Sequence, residues 1–281
     1  MRMNVRWAGT VALSALAATG CGGASTPAGA TGGDSGPTFP SGDVRLSYAL
    51  DLPSGPGPFP ALVFGHGSGR STKQESAGLA SRLAARGYAV LRYDKRGVGL
   101  SGGTYEGVGV ANSERMIGLL AGDLAAGAAF LASRPEVDPR RVGLIGGSQA
   151  GWIVPAAAAR GGAWCMVLLS GPTVSVGEEI FYSGLADGTT TPFEELSRRL
   201  AGFGGARGFD PRPVLERLDV PGFWILGGQD RSIPTRETVA ILEQLAAAGK
   251  PYRWVVHPSA GHALEGVDVT AEVLAFLAGQ R

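Results

Sequence analysis

A serine hydroxyl is a poor nucleophile until a base such as an imidazole takes its proton, and the imidazole serves best when a carboxylate holds its other nitrogen. The chain has three histidines, His66, His257 and His262, so the choice of base is short. Ser148 stands in the run GGSQAG, between the apolar VGLI and the helix-like WIVPAAAA. A strand that turns sharply into a helix strains the residue at the corner and needs small neighbours two before and two after it. Gly146 and Ala150 are those neighbours; alanine stands where the strict G-x-S-x-G pattern has glycine, and Gly151 follows at once. A serine that merely caps the helix would read the same in this hexapeptide.

Position selects the other two groups. His262 lies in SAGHAL, a loop beyond the strand-like YRWVVH, from which a base can reach the rim of a sheet. His257, which ends that strand, is expected to pack or to orient the loop, and His66 in FGHGSG to tie down its own loop. Asp230 follows the strand-like FWILGG and is the best placed of the aspartates; its competing role is a turn or helix cap. Asp94 in YDKRG also follows a strand, but one that precedes the serine, and its neighbours Lys95 and Arg96 suggest an ion-paired turn. Ser148, Asp230 and His262 thus occur in one of the chain orders a triad can take. The anionic oxygen of a tetrahedral intermediate also needs N–H donors. Gln149 offers one at a helix N-terminus. The glycine-rich HGSG offers the other, with Ser68 the first choice and Gly67 the second.

These groups need a scaffold that brings distant segments to one edge. ALVFGHG, AVLRYD, VGLIGG, WCMVLLSG, FWILGG and YRWVVH are continuous apolar runs, the pattern of parallel strands buried on both faces. Segments of helical period near residues 74–86, 113–133, 149–160, 235–248 and 268–278 separate them. The alternation predicts a doubly wound, mostly parallel α/β sheet, opened by an antiparallel hairpin around VRLSYALDLP. Residues 171–221 are too long for one crossover and contain two helix-like pieces, so they are expected to form a small helical cap insertion. Its Phe181, Tyr182, Phe193, Phe203 and Phe209 either line an apolar substrate pocket or hold the cap down.

Composition narrows the function classes. With 25 Lys and Arg against 24 Asp and Glu, a net charge of +1 offers no electrostatic case for nucleic acid. The expected partner is a small acyl substrate. The first twenty residues place Arg2 and Arg6 before an apolar stretch from Val11 to Ala18, the layout of an export signal over residues 1–20. ATGC at Cys21 resembles the lipobox of bacterial lipoproteins, with Ala18 where that pattern usually has leucine. The resemblance implies a lipidated Cys21 and attachment to the membrane of the cell envelope; otherwise the chain would be secreted or periplasmic. Residues 21–42, poor in large apolar side chains, read as a tether to a folded domain over 43–281. Cys165, in an apolar run, is expected to be a buried packing residue.

Taken together, FGHGSG, YDKRGVGLSGG, RPEVDPRRVGLIGGSQAGW, LGGQDRSIP and AGHAL resemble the α/β-hydrolase superfamily from about Arg45 to Leu277. The closest similarity is to bacterial acyl esterases and to dienelactone-hydrolase-like or prolyl-oligopeptidase-like members. That resemblance implies hydrolysis of carboxylic esters through an acyl-enzyme, with Ser148, Asp230 and His262 as the triad and no metal or organic cofactor. A peptidase or acyltransferase on the same fold, or a silent binding module that kept it, would share these motifs.

Overall fold

Continuous apolar runs become parallel strands because each strand must bury side chains on both faces, and alternate residues then serve opposite helix layers. The computed structural model describes residues 36–280. The signal segment expected over residues 1–20, Cys21 and most of the expected tether lie outside them. The strands are β1 (Thr38–Ser41), β2 (Val44–Asp51), β3 (Phe59–Gly65), β4 (Ala89–Tyr93), β5 (Val137–Gly147), β6 (Met166–Leu169), β7 (Gly222–Gly227) and β8 (Tyr252–His257). The helices are α1 (Ala77–Ala84), α2 (Ser113–Ala132), α3 (Ala150–Ala158), α4 (Val176–Ala186), α5 (Phe193–Ala201), α6 (Arg212–Arg217), α7 (Thr235–Ala247) and α8 (Val269–Ala278).

The sheet runs β1-β2-β4-β3-β5-β6-β7-β8. β1 and β2 form the antiparallel opening, β2 pairs antiparallel with β4, and β4 through β8 are parallel in that order across the sheet. Leu62, Val90, Ile145, Val167 and Ile225 face one way and pack with Leu83 of α1 and with Val273 and Phe276 of α8. Their neighbours Val63, Leu91, Leu144, Leu168 and Trp224 face the other way, toward Ile117 and Leu124 of α2, Ile153 of α3 and Leu242 of α7. Because the central strands are parallel, their C-terminal ends share one rim, and that rim is where such sheets bind ligands.

Two boundaries differ from expectation. β1 lies inside the stretch read as tether, so the folded unit begins before residue 43. Phe39 explains this: it is fully buried, stacks on Phe130 at 5.6 Å and meets the edge of Tyr93 at 5.5 Å. One buried aromatic outweighs the glycine and proline around it. The connection over 171–221 holds three helices, not two. α4 and α5 pack on each other as the cap, whereas α6 belongs to the layer on the sheet, beside α3 and α7.

A buried ion pair closes the hairpin onto this body. Arg96, in the turn after β4, donates from Nη2 to Asp123 Oδ1 at 2.6 Å and from Nε to Oδ2 at 3.1 Å. Ser41 of β1 donates to the same Oδ1 at 2.6 Å, and Asp123 is 1% exposed. Removing one partner of such a pair strands the other charge, a loss of roughly 3–5 kcal/mol. Asp123→Ala should lower the urea unfolding free energy by about that amount; a loss below about 1 kcal/mol would show that the pair does not hold the hairpin.

Candidate active site

Local packing explains the corner at the end of β5. Ser148 has φ 55°, a left-handed conformation that β-carbon sterics disfavour. Its N–H is held by Leu169 O of β6 at 2.9 Å. A Cβ on Gly146 would lie 2.5 Å from the Ala150 side chain and 2.8 Å from Gly65 O, so only glycine fits there, and alanine at 150 still does. Gly151 packs against Pro172, where a Cβ would collide with the proline ring and nitrogen. Gln149, not Ser148, occupies the N-cap of α3, and no side chain caps it. The capping explanation of the serine therefore falls away. Its hydroxyl makes no hydrogen bond within the described residues.

Asp230 sits just past β7 and is 1% exposed. Its Oδ1 accepts from Ser232 N–H and Ile233 N–H, each at 2.8 Å, and its Oδ2 lies 2.8 Å from His262 Nδ1. A carboxylate only accepts, so Nδ1 carries the proton and Nε2 of the neutral ring is left as the base. Two groups brace this pair: Tyr182, which sequence reasoning named only as a cap aromatic, and Ser170, which it missed. The Tyr182 hydroxyl of α4 donates to Asp230 O at 3.1 Å, and Ser170, itself at φ 47°, donates from Oγ to His262 O at 2.8 Å. Ser170 follows β6 directly in LLSGP, and only its place just past a strand could have drawn notice. Asp94 is ion-paired as expected, but with Lys73 at 2.8 Å and not with its chain neighbours.

Ser148 and His262 line one cavity of about 410 Å³, with Gly67, Phe64, Leu79 and Leu169 among its walls. The cap aromatics do not line it. Phe181 packs at a tilt against Phe203, ring centroids 5.2 Å apart, Phe209 is buried in the core, and Tyr182 and Phe193 border a separate cavity of about 490 Å³ around Asp230. The larger cavity is thus not the one that holds the serine. The cap braces the carboxylate from behind, and the wall opposite it, from β3, α1 and the His262 loop, shapes the space in front of Ser148. Of the two expected loop donors, Gly67 lies against Ser148, where an added Cβ would be 3.6 Å from the serine's own, and Ser68 is exposed beside it. Among the described residues, no three His, Cys, Asp or Glu side chains converge on a metal position.

The model of the prolyl oligopeptidase family, Peptidase_S9, matches residues 77–280. The chain belongs to the prolyl oligopeptidase family. Among curated proteins it is similar to Esterase EstD of Thermotoga maritima, 27% identical over 231 residues that cover 72% of this chain and 54% of that protein. It therefore spans little more than half of EstD's length. Among solved structures it resembles Est1E from Butyrivibrio proteoclasticus with ferulic acid bound, at TM-score 0.63 and 20% identity, covering 86% of this chain and 98% of that one. It also resembles the Pyrococcus horikoshii acylaminoacyl peptidase, at TM-score 0.60 and 17% identity, covering 86% and 40%. These likenesses place the fold among the α/β hydrolases.

In this member of the prolyl oligopeptidase family the electrostatics separate the histidines. Burial pushes His66 down to about 4, and its Nε2–H donates to Tyr93 O at 2.7 Å, so it is a neutral strut for the HGSG loop. Burial also lowers His262, but the hydrogen bond and charge of Asp230, with the charges of Glu179 and Glu265, raise it on balance. Glu179, half-buried on α4 one turn before Tyr182, is pushed up to about 7, chiefly by burial. His257 orients the loop through its backbone, its carbonyl accepting from Gly228 N–H at 2.8 Å and Ala260 N–H at 3.2 Å. Cys165 is fully buried and its thiol is pushed up to about 12 by burial, which leaves it unreactive. Histidine NMR titration should find His66 neutral down to about pH 4 and His262 titrating above 6.5. Because the Glu179 anion favours the imidazolium, Glu179→Gln should move the His262 midpoint down; an unmoved midpoint would contradict this arrangement.

Proposed function

We propose that the chain is a serine hydrolase that cleaves carboxylic ester or thioester bonds of small acyl substrates through an acyl-enzyme. The observation that carries this reading is the 2.8 Å contact between His262 Nδ1 and Asp230 Oδ2, which leaves Nε2 as a base beside the cavity that Ser148 also lines. In the first half-reaction the Ser148 hydroxyl bonds to the carbonyl carbon while its proton passes to His262 Nε2. The imidazolium is stabilised by the buried Asp230 carboxylate. The carbonyl oxygen becomes an oxyanion that accepts from Gln149 N–H, at the α3 N-terminus, and from an N–H of the HGSG loop, that of Ser68 or Gly67. Collapse expels the alkoxide or thiolate, which takes the proton from His262. Water then repeats the sequence, His262 taking its proton and Ser148 regaining one as the acid leaves.

The apolar wall of Phe64, Leu79, Leu169, Leu264 and Val269 favours an acyl or alcohol part of moderate size, and the likeness to the esterase EstD supports an ester as the bond cleaved. A peptidase is the second reading, favoured by the family and by the likeness to an acylaminoacyl peptidase. A panel of p-nitrophenyl esters from acetate to long acyl chains, run beside acylaminoacyl and prolyl p-nitroanilides, separates the two. Esters should be turned over with a cutoff in chain length, and Ser148→Ala should lose roughly 10⁴-fold or more in kcat. Turnover confined to the anilides would make the chain a peptidase, and ester turnover unchanged in Ser148→Ala would end the serine-hydrolase reading.

A further inference from the structure

The buried ammonium of Lys95 lies on this rim, and the proposed reaction leaves it without a role. Lys95 follows β4 and Asp94, is 2% exposed, and forms no salt bridge with any described carboxylate. Its Nζ donates to Gly67 O at 2.8 Å, Gly69 O at 3.1 Å and Gln149 Oε1 at 3.1 Å. An ammonium has three N–H donors, so these contacts use all of them. Two acceptors belong to the HGSG loop and the third to the residue after Ser148. One cation therefore joins the two segments that would supply the oxyanion donors. Burial pushes its pKa down to about 8, so it remains charged at neutral pH.

Peptide planarity gives this contact a direction. In a trans peptide the C=O of one residue and the N–H of the next point opposite ways. With Gly67 O drawn onto the ammonium, the Ser68 N–H in the same plane is turned away from Lys95. The contact on the Gln149 side-chain amide holds the N-cap residue of α3 at the same time. Beyond His66, which ties down its start, the glycine-rich loop has few side chains of its own to fix these planes, and a donor that must be reoriented during reaction loses much of its value.

We propose that Lys95 is a positioning residue that sets both oxyanion donors, the Ser68 N–H and the Gln149 N–H, in their working directions. The inference rests on the serine-hydrolase reading. Its mark is a selective loss at the transition state, because ground-state binding of the acyl group does not use these donors fully. Lys95→Met keeps the aliphatic stem and removes the ammonium.

The test compares wild type, Lys95→Met and Ser148→Ala on the best p-nitrophenyl ester, and measures inhibition by an alkyl boronic acid, whose tetrahedral adduct on serine mimics the oxyanion. Lys95→Met should lose roughly 10²–10³-fold in kcat with KM within about threefold, and its boronate affinity should fall by a similar factor. Should that variant not fold, Gln149→Met removes one acceptor without emptying the buried site, and should lower kcat and boronate affinity together by roughly tenfold. A folded Lys95→Met with wild-type kcat, or one that raises KM and leaves boronate affinity intact, would overturn the inference while the Ser148→Ala loss still stood. Wild type no faster than Ser148→Ala would overturn both.

Discussion

The site depends on a hydrogen bond between two loops that are far apart in the chain. Asp230 Oδ2 and His262 Nδ1 meet at 2.8 Å, and that bond alone decides which ring nitrogen is free to act as a base. It is effective because the carboxylate is buried yet not starved of donors: two backbone N–H groups hold its other oxygen. A buried carboxylate without such partners would take up a proton instead, and would then compete for the role of donor. The bond persists because each loop is anchored elsewhere. Tyr182 fastens the Asp230 backbone to the cap, and Ser170 fastens the His262 backbone to the end of β6.

The same logic of imposed geometry governs the serine. A left-handed φ at Ser148 is costly for a residue with a β-carbon, and it persists where the surroundings over-determine it. Here β6 holds its N–H, and the contacts of Gly146 with Ala150 and of Gly151 with Pro172 leave the chain no roomier path from strand to helix. Gln149, at the N-cap of the helix that begins at Ala150, carries the next N–H in the chain.

Much of this was legible in the chain because it rests on local pattern. The parallel strands show as apolar runs, since burial on both faces leaves few polar positions in them, Arg92 and Arg253 among the exceptions. Ser148, Asp230 and His262 stand out because each follows such a run with turn residues around it. What escaped notice depends on contacts through space. β1 is hidden because Pro40 and the glycines nearby look like linker, while the burial of Phe39 needs Phe130 and Tyr93 from distant elements. The sequence left the cap aromatics two roles, and the choice between them needed the structure: Phe181 meets Phe203, Tyr182 and Phe193 border the cavity around Asp230, and Phe209 joins the core. Lys95 looked like half of a turn ion pair with Asp94. The aspartate is taken by Lys73, and the ammonium reaches carbonyl groups that carry no signal in a sequence.

The account stands or falls on a proton passing from one serine to one imidazole. Mass mapping of the adduct formed by a fluorophosphonate tests this most directly, because the reagent bonds to a serine only where its hydroxyl is activated. The expected result is a single adduct on the peptide that carries Ser148, formed at a rate that falls as the imidazole is protonated and lost in His262→Ala. An adduct on a different serine, or labelling of Ser148 undiminished in His262→Ala, would contradict it.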